Sequence, residues 1–387
     1  MKNRVELKII AIAFLYVTIL NGCKKEEPIT LPTPAPYICS EADGILCNVA
    51  GISGENGGSG NGGDALLAQL YWPMDITMDT EGRLLIVDFN NHCVRRIEND
   101  GTIDRIIGSG ILGDHATGTA LSINLNHPSE VTIGPLGNYW LSAWHNWKVK
   151  KIDKNSWEVT SPIGTIQGFS GDGGTADTAR MDLPSSTVFG TNGDIFICDQ
   201  GNQRIRKVDA VTHIITTLAG SSKGYADGIG AVAQFSFPTG TNAGPGGKMA
   251  LTIDGNYLII ADTENNRIRK VHISTGEVST IAGIGTEGYS GNSGLAIHAQ
   301  LNKPTDVAIG PDKVIYIADS KNHVIRKIDA SGNIFTVVGT GIAGSSVNGT
   351  LANEAMLNQP YGVYMTPDNT LYIADTYNQQ VKKVKNP

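Results

Sequence analysis

The chain has 387 residues, with 30 Lys and Arg against 37 Asp and Glu, for a formal net charge of -7. No basic block stands out, which argues against nucleic acid as a partner. Its 47 glycines recur at fixed places, which marks them as turn residues between short strands rather than as disorder.

Residues 1–23 stand apart from the rest. Lys2, Arg4 and Lys8 precede an apolar run from Ile9 to Leu20, too short for a comfortable membrane span and shaped like a secretory signal. The run ends in Leu20-Asn21-Gly22-Cys23, which resembles a bacterial lipobox, although Asn21 is unusual at its position. The resemblance implies that Cys23 is lipidated; a plain cleaved signal is the alternative. Lys24-Lys25-Glu26-Glu27 resembles the lysine-acidic export signal of surface lipoproteins in Bacteroidetes-type bacteria, and reads equally well as a solvated charge run. Residues 24–38, rich in Pro and Thr, read as an extended tether. The expectation is an outer-membrane lipoprotein exposed at the cell surface, touching the membrane through its lipid anchor only.

From residue 39 to 387 one pattern is written six times, with a period of about 56 residues. A proline opens each unit (Pro73, Pro128, Pro184, Pro238, Pro304, Pro360), and an asparagine marks a tight turn (Asn91, Asn146, Asn202, Asn265, Asn322, Asn378). A glycine follows each final apolar run (Gly51, Gly108, Gly164, Gly220, Gly283, Gly339). One interval is stretched, and there Thr239 to Gly247 reads as a Gly-rich insertion. Each unit contains four short β-branched runs bounded by Gly, Asn, Asp and Pro, the marks of strands buried on both faces. Four strands in each of six units predict an all-β fold, a six-bladed β-propeller. The last unit lacks a fourth strand, and Ile45 to Ala50 at the start matches Ile215 to Ala219. The N-terminal strand is therefore expected to complete the C-terminal blade, hiding two sheet edges. Cys39 and Cys47 lie close enough for a bridge in an oxidising compartment, whereas Cys93 and Cys198 read as buried apolar fillers.

Asp-x-x-Asn-x-Arg-Ile-Arg-Lys-Val stands at Asp199–Val208 and Asp262–Val271, preceded by Ile-Ala-Asp in the second case. With Asn91-His92-Cys93 and Asn322-His323-Val324, this resembles the NHL repeat over residues 44–387. The resemblance implies the propeller fold but little about function, since NHL-type propellers include protein-binding and RNA-binding modules and lyase or lactonase relatives. The repeated residues read as structural. The Asn suits a left-handed turn position, and Arg204 is expected to pair with Asp199 across the hairpin.

Function is expected where the copies differ, on the face carrying the turns and the Gly-rich loops. The second unit reads Ala143-Trp144-His145-Asn146-Trp147, with Ala143 in place of the usual Asp. Trp144, His145 and Trp147, with Trp72 and the turn residue Tyr377, are the candidate platform for an extracellular glycan or a protein partner. Filling of space in a degenerate blade is the alternative, and Trp140 and Trp157 read as core. A second candidate lies at the channel mouth, two residues past each proline: Asp75, Glu130 and Asp306, with Ser186, Gly240 and Gly362 in the other units. Three carboxylates around one axis suit calcium, and otherwise are solvated or cap strand ends. No other cofactor is expected. A metal-dependent lyase or lactonase-like hydrolase centred on the channel is the alternative function. No His pair at ligand spacing, serine elbow or phosphate loop supports catalysis.

Overall fold

The computed structural model describes residues 39, 42–240 and 243–387. The signal segment 1–23, the lipidation candidate Cys23 and the tether 24–38 lie outside the described residues. The rest is a ring of six antiparallel sheets. In blade 1 the strands run Pro73–Met78, Leu84–Asp88, Cys93–Ile97 and Thr102–Ile107, from the axis outward. Five of the six sheets gain a short fifth strand at the rim, such as Gly63–Asp64 in blade 1, where four had been expected.

The ring closes as the sequence implies. Ile45–Ala50 pairs with Gln380–Lys385, matching Leu46 with Val384 and Cys47 with Lys383. Cys39 and Cys47 are bridged, and Cys93 and Cys198 are buried free thiols. Apolar side chains from adjoining blades meet between the sheets. One cluster joins Leu85, Val87 and Val94 of blade 1 to Val131, Tyr139 and Leu141 of blade 2. Both faces of a blade are buried, so strands such as Leu84–Asp88 show no period-two alternation.

The turn chemistry differs from the expectation in two details. The Asn of each turn is not the left-handed residue; it lies in a single 3-10 turn, as in Gln200–Asn202, and the next residue, Gln203, takes φ 57°. The Asn side chain instead ties the blade together. Asn202 Nδ2 donates to Asp199 (2.9 Å) and to the Gly168 carbonyl (2.8 Å). The Asp also accepts the N–H of Asp182, 17 residues upstream (2.8 Å). Arg206, not Arg204, pairs with Asp199, at 3.1 Å. A register shift between Ile205 and Arg206 accompanies this geometry, and Arg204 bonds the Asn202 carbonyl instead.

In five of the six blades the left-handed residue latches its blade to the next. Gln379 Oε1 accepts the N–H of Trp72 (2.7 Å), Gln203 Oε1 that of Phe237 (2.7 Å) and Asn266 Oδ1 that of Lys303 (2.9 Å). His92 Nδ1 and His323 Nδ1 do the same for His127 (3.3 Å) and Gln359 (3.1 Å). Trp147 holds this position in blade 2 and carries only a donor, so it cannot make the latch.

Candidate functional site

The turn Trp144–Asn146 follows the strand Tyr139–Ala143. With Ala143 in place of the Asp, Asn146 Oδ1 takes over the upstream bond, accepting the Asn126 N–H at 2.9 Å. Trp144 opens the turn and points inward, only 1% exposed, with its Nε1 donating to Gln200 Oε1 (3.3 Å). It packs with Met74, Phe89 and Leu183, and Trp72, Ala243 and Tyr361 lie against the same cluster. Trp144 is therefore a core residue at the turn-face end of the propeller, not part of an exposed platform. The first residue of every such turn is buried, Phe89 and Thr376 among them, so the turn geometry rather than the residue type hides it.

His145 and Trp147 remain half-buried. His145 Nδ1 lies 3.2 Å from His127 Nδ1, and His92 meets the His127 ring edge-on at 4.5 Å between centroids. Burial holds all three imidazoles below their usual range, with His127 down to about 4. The neighbouring histidines push His127 further, whereas Asp182 partly offsets the effect of burial on His145. These rings are therefore neutral at neutral pH: His92 Nδ1 accepts the His127 N–H, and His127 Nδ1 donates to Asn126 Oδ1 (2.7 Å). Trp140 packs edge-on against Phe189, and Trp157 stacks on Tyr139 at 5.5 Å.

The channel candidates form a closed network. Met249 pairs with Ile260 as Ile76 pairs with Ile86, and the insertion falls between Pro238 and the inner strand Met249–Leu251. The residue equivalent to Asp75 in blade 4 is therefore Lys248, not Gly240. Lys248 Nζ donates to Asp75 Oδ1 (2.6 Å) and to the Met74 carbonyl (2.8 Å), and lies 3.9 Å from Asp306. The other carboxylate oxygens hold neighbouring blades. Asp75 Oδ2 accepts the Val131 N–H (3.0 Å), and Asp306 Oδ2 that of Val363 (2.9 Å). Glu130 accepts from Ser186 Oγ (2.9 Å) and from the Thr187 N–H. Burial raises Asp306 to about 7 and lifts Glu130 well above the carboxylate range, where Asp75 repels its charge as well. Burial pulls the Lys248 ammonium down, but Asp75, Asp306 and Glu130 outweigh it and its pKa is raised.

This donor set does not fit calcium. A hard cation needs six or more free oxygens, and here the carboxylate oxygens already meet N–H and O–H donors while an ammonium stands among them. Among the described residues no group of three or more His, Cys, Asp or Glu is placed to hold a metal ion.

A different part of the turn face is hollow. Turns and loops of blades 4 to 6, with residues of the inserted segment from Thr239 to Pro245, line a depression of about 560 Å³. Tyr361 and Tyr377 form one wall, and Tyr377 stacks on Trp72 at 5.3 Å between ring centroids. Lys223, Lys303 and Lys321 line it with one carboxylate, Glu264, which pairs with Lys303. Two of the expected residues, Trp72 and Tyr377, are thus brought to one place; Trp144 packs beneath Trp72 and Tyr361 in the core, and His145 and Trp147 do not line the depression. The lysines and the insertion were not foreseen as site residues. The signal was present in the stretched repeat interval.

With the fold in view, a family model for the NHL repeat matches residues 70–97 and 357–384, and one for the teneurin NHL domain matches residues 244–329. The chain is an NHL-repeat β-propeller of six blades. It is 26% identical over 347 residues to NHL repeat-containing protein 2 of Bos taurus, an alignment covering 81% of this chain and 46% of that protein. The chain thus spans about half the length of the NHL repeat-containing relatives it matches. Among solved structures it is similar to an auxiliary nutrient binding protein from Bacteroides thetaiotaomicron, with a TM-score of 0.63 and 14% identity over 88% of this chain and 76% of that one. A streptogramin B lyase aligns with a TM-score of 0.51 and 16% identity, over 83% of this chain and 95% of that one. At these identities the structural likeness concerns the fold alone.

Proposed function

We propose that this chain is a lipid-anchored extracellular binding protein that takes a glycan, or alternatively a segment of a partner protein, into the depression beside Tyr377. The observation that carries this reading is the depression itself. It has the volume of a small-ligand site, and flat phenol rings adjoin hydroxyls and ammonium groups that can orient a polyhydroxylated ligand. The nutrient-binding description of a propeller with the same fold supports a binding role. A channel-centred lyase or hydrolase is the alternative, matching the description of a streptogramin B lyase of similar fold, but the carboxylates it would use hold the blades together.

The test is a glycan array in parallel with a protein pull-down, repeated with Lys321→Ala and Tyr377→Ala. A hit weakened at least about tenfold by either change, with unaltered melting, supports the site. A hit indifferent to both places binding elsewhere. The anchor is tested separately, by incorporation of labelled fatty acid into the wild type but not into Cys23→Ser, and by protease accessibility on intact cells.

A further inference from the structure

The six blades differ at one loop position that faces an element recurring in each of them. In every blade the turn Asn donates to the carbonyl of a loop glycine, at 2.6 Å for Asn91 and Gly57 and 2.8 Å for Asn202 and Gly168. The residue after that glycine lies over the cations of the third strand. In blade 3 it is Phe169, whose ring sits 4.1 Å from the Arg204 guanidinium and 4.9 Å from that of Arg206. In blade 4 it is Tyr225, over Arg267 at 3.7 Å and Arg269 at 5.0 Å; in blade 5 it is Tyr289, over Arg326. Blade 2 replaces the ring with Asp114, paired to Lys148 and Lys150, and blade 6 has Ser345, which bonds Gln380. Blade 1 has Gly58.

Gly58 brings no side chain to that place. A cavity of about 110 Å³ remains, lined by Gly58, Cys93, Arg95 and Arg105 among others. Arg95 is 1% exposed and occupies the position of Arg206 and Arg269. Its buried Nε has no hydrogen-bond partner, nor has that of Arg105. In blades 3 and 4 the equivalent Nε also lacks a partner, but there a ring covers the guanidinium. Cys93 stands where blade 3 has Arg204, which leaves the cavity wall apolar on that side.

We propose that this blade 1 cavity is a binding subsite for a flat aromatic ring bearing a carboxylate. The ring takes the position that Phe169 and Tyr225 hold in their own blades, against the Arg95 guanidinium, where ring and cation attract. The carboxylate faces Arg105, a half-buried cation able to meet it with a charge-assisted bond. The Asp88 carboxylate at the same cavity is already engaged by Asn91 Nδ2 (2.8 Å) and the Tyr71 N–H (2.7 Å).

Benzoate is the probe, with acetate as the carboxylate lacking a ring, titrated calorimetrically into the protein at fixed ionic strength. Saturable binding of benzoate and not of acetate is expected. Gly58→Tyr supplies the missing ring from the loop itself and should weaken benzoate at least about tenfold. A Cβ at Gly58 would lie 3.2 Å from Asn91 Oδ1, a small displacement to absorb. Should that variant fail to fold, the same loss is required of Arg105→Met. Absence of saturable benzoate binding overturns the proposal, as does binding that persists in the folded variant or that acetate matches.

Discussion

Lys248 and Asp75 are 173 residues apart in sequence, and their side chains meet at 2.6 Å in the channel. The contact spans the ring from blade 4 to blade 1. It sets one buried ammonium among three buried carboxylates, and so concentrates the cost of burying charge at the axis.

Removing one partner from such a pair leaves the others uncompensated, which typically costs about 3–5 kcal/mol. Lys248→Met is therefore expected to lower unfolding stability by about that amount near pH 8, measured by urea denaturation. The loss should shrink as the pH falls below about 7, where Asp306 takes up its proton and no longer repels the Asp75 carboxylate left without its ammonium. A loss of equal size at pH 5 and pH 8 would contradict the assignment.

His92 and His323 accept the latch bond of the following blade through Nδ1, and burial lowers the pKa of both. A histidine whose folded pKa lies below its unfolded value contributes stability above the unfolded value, near 6.5, and loses it as the pH falls toward the folded value. Gln203 and Gln379 fill the same role without titrating. The double variant His92→Gln, His323→Gln is thus expected to gain on the wild type steadily from pH 7 to pH 5. Melting temperatures across that range, compared at each pH, check the sign. A difference, variant minus wild type, that stays constant or falls toward acid would rule it out.

Trp144→Ala is expected to cost about 3–5 kcal/mol, as for other large aromatics deleted from a core. Trp147→Ala, at a half-buried turn position with no latch bond, should cost less than half as much. Thermal unfolding of the two variants side by side decides between core and platform for Trp144.

Deleting residues 45–50 would strip the outer partner from Gln380–Lys385 and expose its edge. An unpaired edge recruits other strands, so the shortened protein should self-associate in light scattering at concentrations where the intact chain does not. A stable monomer would mean that closure matters little.

Much of the fold was legible because the constraints repeat. Pro, Asn and Gly recur where the backbone needs them, and a lone strand at one end matches the strand missing at the other. The axis was less legible. Counting two residues past Pro238 reaches Gly240, because a count cannot reveal on which side of the inner strand an insertion falls; pairing of Met249 with Ile260 places Lys248 there instead. Arg204 was preferred to Arg206 because a register shift in the third strand leaves no mark in composition. Trp144 looked like a platform because two tryptophans in a turn suggest exposure, yet the first turn residue points inward in each blade. Phe89 in the equivalent position was the available hint.

The way the ring is closed has a mechanical consequence. Gly44 N–H donates to the Lys385 carbonyl at 2.8 Å, so the first and last strands of the propeller begin and finish side by side. That end of the ladder is remote from the turn Thr376–Asn378. A load applied between these two points would peel the pairing one rung at a time, rather than strain all rungs together. The closing blade is then the seam that gives first under tension. The same geometry puts Ile45 on the face opposite the turns, so the hollow beside Tyr377 opens away from the seam's free end.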